Sequence, residues 1–136
     1  MSLIYASTKN GKIHINEYEK ERDGPALSAL GKELIAKKGP KIIHHFAHKY
    51  SGDRDEWMDA KMSEWHLSYQ KICQREHVET RFNKNGITHI ADIFINGKVI
   101  ELQHSPINET TINDREKFYG NMIWIFDYTH DPNRIC

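Results

Sequence analysis

The dipeptide Asn96-Gly97 constrains the fold most, because it lies between two short apolar runs within residues 88–105. Such a pair favours a two-residue hairpin turn, in which both turn residues take positive φ. This turn fixes the register of the two strands and places Asp92 opposite Glu101. The two side chains then occupy a non-hydrogen-bonded pair, where cross-strand side chains approach most closely. Because like charges in that position repel, the sequence predicts a compensating group at the hairpin.

A divalent cation between the two carboxylates is the simplest compensation, because hard cations bind carboxylate oxygens. Gln103 lies two residues beyond Glu101 and therefore shares its face of the strand. The residues themselves thus predict a metal site on a hairpin, formed by Asp92, Glu101 and Gln103.

Length and composition set outer limits on the function. A chain of 136 residues predicts one domain, with a small appendage at most. Lys and Arg number 19, as do Asp and Glu, so a nucleic-acid partner would have to contact a local basic patch. Cys73 and Cys136 are far apart in sequence, which fits a reducing, cytoplasmic setting. No signal peptide is recognisable, and no apolar run approaches the roughly 20 residues of a membrane span.

Residues 1–54 predict a small β-rich module, with a hairpin around Asn10-Gly11 and a strand over residues 41–48. Residues 17–24 are charged and predict a loop or a fraying strand end.

The most basic stretch of the chain contains Lys41, His45, His48 and Lys49. It is either a surface that contacts phosphates or a solvated edge strand protected by lysines. Structural zinc usually requires four ligands with a Cys pair, so the two histidines fit backbone-bonded structural residues better than zinc ligands.

Residues 55–76 predict an amphipathic helix, capped by Asp53 or Asp55. Its apolar stripe recurs at alternating spacings of four and three. The members of the stripe are Met58, Met62, Trp65, Tyr69 and Ile72. Glu64 and His66 border the stripe. Glu64 is either a solvated helix residue or a third acidic group beside the hairpin. His66 is a ligand, a proton shuttle or a hydrogen-bonding link between helix and sheet.

The remaining elements are a strand over residues 77–82, the hairpin, a helix over 108–121 and a strand over 122–128. Thr110 or Thr111 is the expected cap of that helix. The last strand is nearly continuous apolar sequence and therefore predicts a central strand covered on both faces. The order is helix, three strands, helix, strand. It predicts an α+β (α/β) fold with a mixed sheet in residues 55–136.

This order, together with several short sequence phrases, resembles the PD-(D/E)xK nuclease superfamily and, more closely, the competence protein CoiA-like nucleases. The phrases lie within residues 41–128. They are His45-Phe46-Ala47-His48-Lys49, Ser63-Glu64-Trp65-His66-Leu67, Ile90-Ala91-Asp92-Ile93, Ile100-Glu101-Leu102-Gln103-His104-Ser105, and Arg115 with Tyr119 before the Trp124 strand.

The resemblance implies a restriction-endonuclease-like core and a nuclease that depends on Mg²⁺ or Mn²⁺. Asp92 and Glu101 match the acidic metal ligands, and the carbonyl of Leu102 would add a further oxygen. Gln103 stands where the superfamily more often has Lys, and a Gln at this position resembles the CoiA-like members. Glu64 matches the acid of the first helix.

Arg115 matches a residue of the following helix that faces or braces the site. His66 and Arg115, with the four basic-stretch residues, are the candidate nucleic-acid contacts. DNA is the expected substrate, and a homodimer would allow both strands of a duplex to be cut. The chain departs from the CoiA-like pattern near Ser28–Gly31, where a Cys-x-x-Cys zinc element is absent.

Two rival interpretations remain open. The first is a non-catalytic DNA-binding or DNA-processing module that keeps the nuclease fold. It is favoured by the missing Lys, the missing Cys pair and the neutral net charge, and disfavoured by the retained acids. The second is a transition-metal protein that uses histidines of unmatched spacing. These are His44, His45, His48, His66 and His104.

Overall fold

The computed structural model describes residues 2–53, 57, 63–104 and 106–127, which form two β-sheets and three short α-helices. The chain is therefore α+β, as the sequence predicts. Several predicted features lie outside the described residues. They are Met58 and Met62 of the helical stripe, the alternative cap Asp55 and the tail after Thr129.

The N-terminal sheet has six strands in the order β1-β6-β5-β4-β2-β3. They are β1 (Ser2–Leu3), β2 (Tyr5–Thr8), β3 (Gly11–His14), β4 (Ala26–Leu27), β5 (Glu33–Lys37) and β6 (His45–His48). The residues of the predicted β-rich module thus form this sheet, although β6 is shorter than the strand expected over residues 41–48. Its core contains Ile4, Ile15 and Phe46, each at most 1% exposed.

The charged stretch before β4 is a short helix, α1 (Lys20–Asp23), rather than the predicted loop. Asp23, the last residue of α1, is 1% exposed. Its carboxylate accepts hydrogen bonds from the Arg22 side chain, the Glu19 N–H and Asn10 Nδ2. These donors hold the pKa of Asp23 well below its usual range.

The C-terminal sheet has four strands in the order β10-β9-β8-β7. The elements are α2 (Glu64–Gln70), β7 (Val78–Lys84), β8 (Ile87–Ile95), β9 (Lys98–Gln103), α3 (Glu109–Tyr119) and β10 (Met122–Phe126). Strand β10 runs parallel to β9, and the other pairs are antiparallel, so the sheet is mixed. A parallel pair needs a crossover connection, which α3 provides.

The central hairpin has the predicted turn and register. Asn96 and Gly97 have φ of 51° and 76°, as a two-residue turn with two positive φ values requires. The ladder pairs Ile95 with Lys98, Phe94 with Val99 and Ile93 with Ile100. The prediction that this dipeptide sets the strand alignment is therefore confirmed.

The prediction that the last strand is central was wrong, because β10 is the edge strand of its sheet. Met122 packs against the cluster formed by Val99 and Tyr119. Ile123 is 42% exposed, and the following residues are only half-buried. A continuous apolar run specifies a strand, but it does not specify whether another strand or solvent lies beside it.

The stripe predicted for the helix over residues 55–76 was wrong at its C-terminal end. The N-cap of α2 is Ser63, whose side chain accepts the His66 N–H, and the helix ends at Gln70. Ile72 therefore lies beyond the helix and is 78% exposed. The buried residues of α2 are His66 and Gln70, because this helix is fixed to the sheet partly by polar contacts. Gln70 Nε2 donates to the Asp92 carbonyl at 3.3 Å.

Helix α3 lies close to its predicted range, with a different cap. The side chain of Asn108 accepts the Thr111 N–H at 2.8 Å, so Asn108 rather than Thr110 or Thr111 is the N-cap. Gly120, with φ of 75°, ends the helix as predicted.

The two sheets share one boundary of packed side chains. Val78 of β7 belongs to the N-terminal core, and Leu67 and Cys73 pack against that core. The predicted division at residue 54 therefore lies between the two sheets in sequence. Residues of α2 and β7 nevertheless pack against the core of the N-terminal sheet. Within the described part of the chain, none of the helices combines the length and apolar character that a membrane span needs.

Candidate metal and nucleic-acid site

Asp92 and Glu101 lie together across the hairpin, where two hydrogen bonds link their side chains to the backbone of the opposite strand. The Asp92 N–H donates to Glu101 Oε2 at 3.0 Å, and the Leu102 N–H donates to Asp92 Oδ2 at 2.8 Å. The two residues are 5% and 2% exposed, respectively. The sequence prediction that these carboxylates converge is confirmed. Each carboxylate accepts a hydrogen bond from a backbone N–H of the opposite strand.

Two basic side chains hold this carboxylate pair from the two helices. His66 Nε2 of α2 lies 3.3 Å from Asp92 Oδ1. Arg115 Nη1 of α3 lies 3.5 Å from Glu101 Oε1. Both basic residues are nearly buried. Of the three roles left open for His66, the link between helix and sheet is the one that this geometry shows.

Burial raises the pKa of Glu101 well above its usual range, and the neighbouring Asp92 carboxylate raises it further. The Asp92 N–H and Arg115 act in the opposite direction, because they stabilise the charged form. The repulsion expected from the sequence is therefore compensated only in part by protein groups. A carboxylate pair in this state binds either a proton or a cation more readily than an isolated carboxylate does.

Leu102 and Gln103 follow Glu101 on β9. Gln103 is 5% exposed, and its carbonyl accepts the Asp127 N–H at 3.0 Å. The contact that Leu102 makes with the pair runs through its N–H, whereas the resemblance implied a role for its carbonyl.

Glu64 lies at the start of α2 on a different side of the helix from His66. It is exposed and lines a half-open cleft with His14, His44 and Leu67, beside the N-terminal sheet. Residues two positions apart on a helix point in different directions. Helix α2 therefore presents His66, and not Glu64, to the carboxylates, so the predicted third acidic group is not part of the pair.

The basic stretch lies on the N-terminal sheet, while the carboxylate pair lies on the C-terminal sheet. Lys41 is exposed, and His45 Nδ1 is 2.7 Å from the Ile43 carbonyl. Lys49 Nζ is 3.2 Å from Glu33 Oε2 on the neighbouring strand. His48 lies at the end of β6. The edge-strand interpretation is wrong, because β6 lies between β1 and β5 in the sheet. The charge of Lys49 is paired with that of Glu33.

Two polar arrangements near the pair were not predicted. Asp127, just after β10, has a fully buried side chain whose Oδ2 is 2.9 Å from His104 Nδ1. Glu79 of β7 accepts the Ile4 N–H at 2.8 Å and the Tyr5 N–H at 3.0 Å, across the junction of the two sheets. Sequence offers a weak signal for Asp127, an acidic residue directly after an apolar run, and none for Glu79.

A third arrangement is aromatic. The rings of Trp57 and His89 stack at 3.4 Å with an interplanar angle of 5°. The guanidinium of Arg115 lies over the rings of both Trp57 and Trp124. It also donates through Nη2 to the Trp57 carbonyl. Arg115 thus connects the carboxylate pair to two aromatic side chains.

The two carboxylates of Asp92 and Glu101 are a small set of ligands, but their oxygens suit a hard divalent cation. In the parts of the chain that the structure describes, no three His, Cys, Asp or Glu side chains are grouped to hold a metal ion. Mg²⁺ is commonly held by only one or two carboxylates, with waters and substrate phosphates completing its shell. Asp92 and Glu101 therefore fit Mg²⁺ or Mn²⁺ better than they fit zinc, which needs more protein ligands.

Comparisons with family models, with curated proteins and with solved structures find no match to this chain. The functional argument therefore rests on the residues and their geometry.

Proposed function

We propose that this protein is a divalent-metal-dependent nuclease that hydrolyses phosphodiester bonds in DNA, built on a restriction-endonuclease-like core related to the CoiA-like family. The observation that carries the proposal is the buried pair of Asp92 and Glu101, whose carboxylates lie together between His66 and Arg115. Perturbed carboxyl groups held by specific charged partners are typical of functional sites.

A bound Mg²⁺ or Mn²⁺ would lower the pKa of a coordinated water and neutralise charge on the phosphate. The protein residues position this chemistry. His66 contacts the Asp92 carboxylate, and Arg115 contacts the Glu101 carboxylate. These contacts fix the carboxylate oxygens before substrate binds. Gln103 can donate from its amide or accept through its oxygen, but it cannot supply the positive charge of a Lys.

The wider setting follows from the same proposal. The protein would act on DNA inside the cell, in a reducing compartment and in DNA processing of the competence type. A homodimer would place two such sites on one duplex.

Cleavage of a labelled DNA substrate with Mg²⁺ or Mn²⁺ present tests the proposal. Asp92→Ala and Glu101→Ala should each lose activity by about 100-fold or more, since each removes one of two proposed metal ligands. Glu64→Ala is the matched control, because Glu64 is an exposed acid outside the pair. Unchanged cleavage in both hairpin variants would refute the assignment.

A non-catalytic nucleic-acid-binding module is the second candidate. It is favoured by the low exposure of the site, since Asp92, Glu101, Gln103 and Arg115 are each at most 6% exposed. Calorimetric titration with Mn²⁺ separates the two. Binding that is lost in Glu101→Gln supports the nuclease, while absence of binding at millimolar Mn²⁺ supports the module.

A further inference from the structure

Two aromatic residues of the edge strand lie in register with two residues of the proposed site. In the parallel ladder of β10 and β9, Trp124 pairs with Glu101, and Phe126 pairs with Gln103. Paired residues of neighbouring strands point to the same face of a sheet, and residues i and i+2 share that face. The two rings therefore lie beside the site in a row parallel to it.

The rings form an ordered pair. Their centroids are 5.5 Å apart, and their planes differ by 11°. Trp124 Nε1 donates to Glu116 Oε1 at 3.1 Å, which fixes the orientation of the indole. Arg115 Cζ lies 5.5 Å from the Trp124 ring centroid, while Nη1 of the same side chain reaches Glu101. One cation thus contacts both the ring pair and the carboxylate pair.

The exposure of the rings differs from that of core aromatics. Phe46 of the N-terminal core is fully buried, whereas Trp124 and Phe126 are only half-buried. Both lie on β10, which ends its sheet, so none of the described strands lies beyond them. Both residues therefore keep some exposed surface next to the proposed site.

From this placement we infer that Trp124 and Phe126 form a base-stacking surface for single-stranded nucleic acid that leads into the Asp92 and Glu101 site. This inference rests on the proposed nuclease function and specifies its substrate class. Aromatic rings next to a cation bind unpaired bases with little sequence preference, because every base has a π-face. Bases within a duplex are already stacked and do not offer that face.

Fluorescence anisotropy of a labelled oligodeoxythymidine tests the inference in EDTA, where no metal-dependent cleavage occurs. The wild-type protein should bind this single strand more tightly than a duplex of equal length. Trp124→Ala should weaken single-strand binding by roughly 5- to 150-fold, the range for loss of one base–aromatic stack. Trp124→Phe should retain most of the affinity.

Ile123→Ala is the matched control, because Ile123 lies on the same strand but points to the opposite face. Its binding should equal that of the wild type. Equal affinities for duplex and single strand, or unchanged binding by Trp124→Ala, would overturn the inference. A change in the monomer–dimer equilibrium of Trp124→Ala without any change in oligonucleotide binding would also overturn it, and would assign this edge to a second copy of the chain.

Photo-cross-linking uses the wild-type protein, so its result does not depend on whether the variants fold correctly. An oligonucleotide carrying 5-iodouracil should cross-link to the peptide containing Trp124 and Phe126. Cross-links found only elsewhere would contradict the inference. Since both measurements omit the metal, they can fail while cleavage persists, and they can succeed while cleavage is absent.

Discussion

Glu79 is expected to make the stability of this protein fall as the pH rises through neutrality. Its carboxyl group is buried at the junction of the two sheets and accepts two backbone N–H groups, from Ile4 and Tyr5. Burial raises the pKa of Glu79 from its ordinary 4.5 to about 7, although those hydrogen bonds, Lys12 and His66 act in the opposite direction. The group is therefore easier to protonate in the folded chain than in the unfolded chain.

The size of the effect follows from that difference in pKa. At 1.36 kcal/mol for each pKa unit, a rise from 4.5 to about 7 corresponds to roughly 3 kcal/mol. Because the folded pKa of Glu79 is raised, this stabilisation is fully present below pH 4.5 and is lost as the pH rises to about 7. Other groups also titrate, so the contribution of Glu79 must be isolated by comparison with a variant.

The variant is Glu79→Gln, which keeps the shape of the side chain and removes its ionisation. Losing one of the two acceptors costs about 1–3 kcal/mol at every pH. The free energy of unfolding, from urea titrations at pH 5 to pH 8, should therefore be lower in the variant at pH 5. Between pH 5 and pH 8 the variant should regain most of the roughly 3 kcal/mol relative to wild type.

The control is Glu76→Gln, an exposed acidic residue three positions earlier in the chain. Its stability should follow the wild type across the same pH range. If Glu79→Gln and wild type lose stability in parallel between pH 5 and pH 8, the assignment of this pH dependence to the sheet junction is refuted.

Two further predictions concern the hairpin and its basic partner. Gly97→Ala should lower the free energy of unfolding by about 1 kcal/mol, because the turn requires a φ of 76° there. Gly52→Ala, at an open position without positive φ, should have a smaller effect in the same urea titration. Arg115→Met should lower the free energy of unfolding by about 1–3 kcal/mol, since it leaves Glu101 Oε1 and the Trp57 carbonyl without their Arg115 donors. Thermal unfolding against the exposed-site variant Arg81→Met checks this, and equal melting temperatures would contradict it.

Local sequence determined the features that depend on backbone conformation. Asn96-Gly97 specifies its turn because few other residues adopt positive φ cheaply, and the turn then fixes the register of β8 and β9. Extending that register by one pair predicts the convergence of Asp92 and Glu101, which two side chain–backbone hydrogen bonds then hold. Gly120 ends α3 for the same conformational reason.

Features that depend on distant contacts were predicted less well. The apolar run of β10 gave the strand but not its edge position, since sheet order depends on where α3 carries the chain. For α2, the apolar spacing indicated the wrong buried face. Ser63 sets the start of the helix, and the contacts of His66 and Gln70 with Asp92 set its orientation.

The sequence by itself therefore determined the hairpin, its acidic pair and the α+β class. The tertiary structure alone decided which groups surround that pair. Arg115, His66 and the row of Trp124 and Phe126 come from segments far from the hairpin in sequence, and Glu64 points elsewhere. The physical reason is that turn and strand preferences act within a few residues. Desolvation and charge pairing, in contrast, depend on which segments pack together.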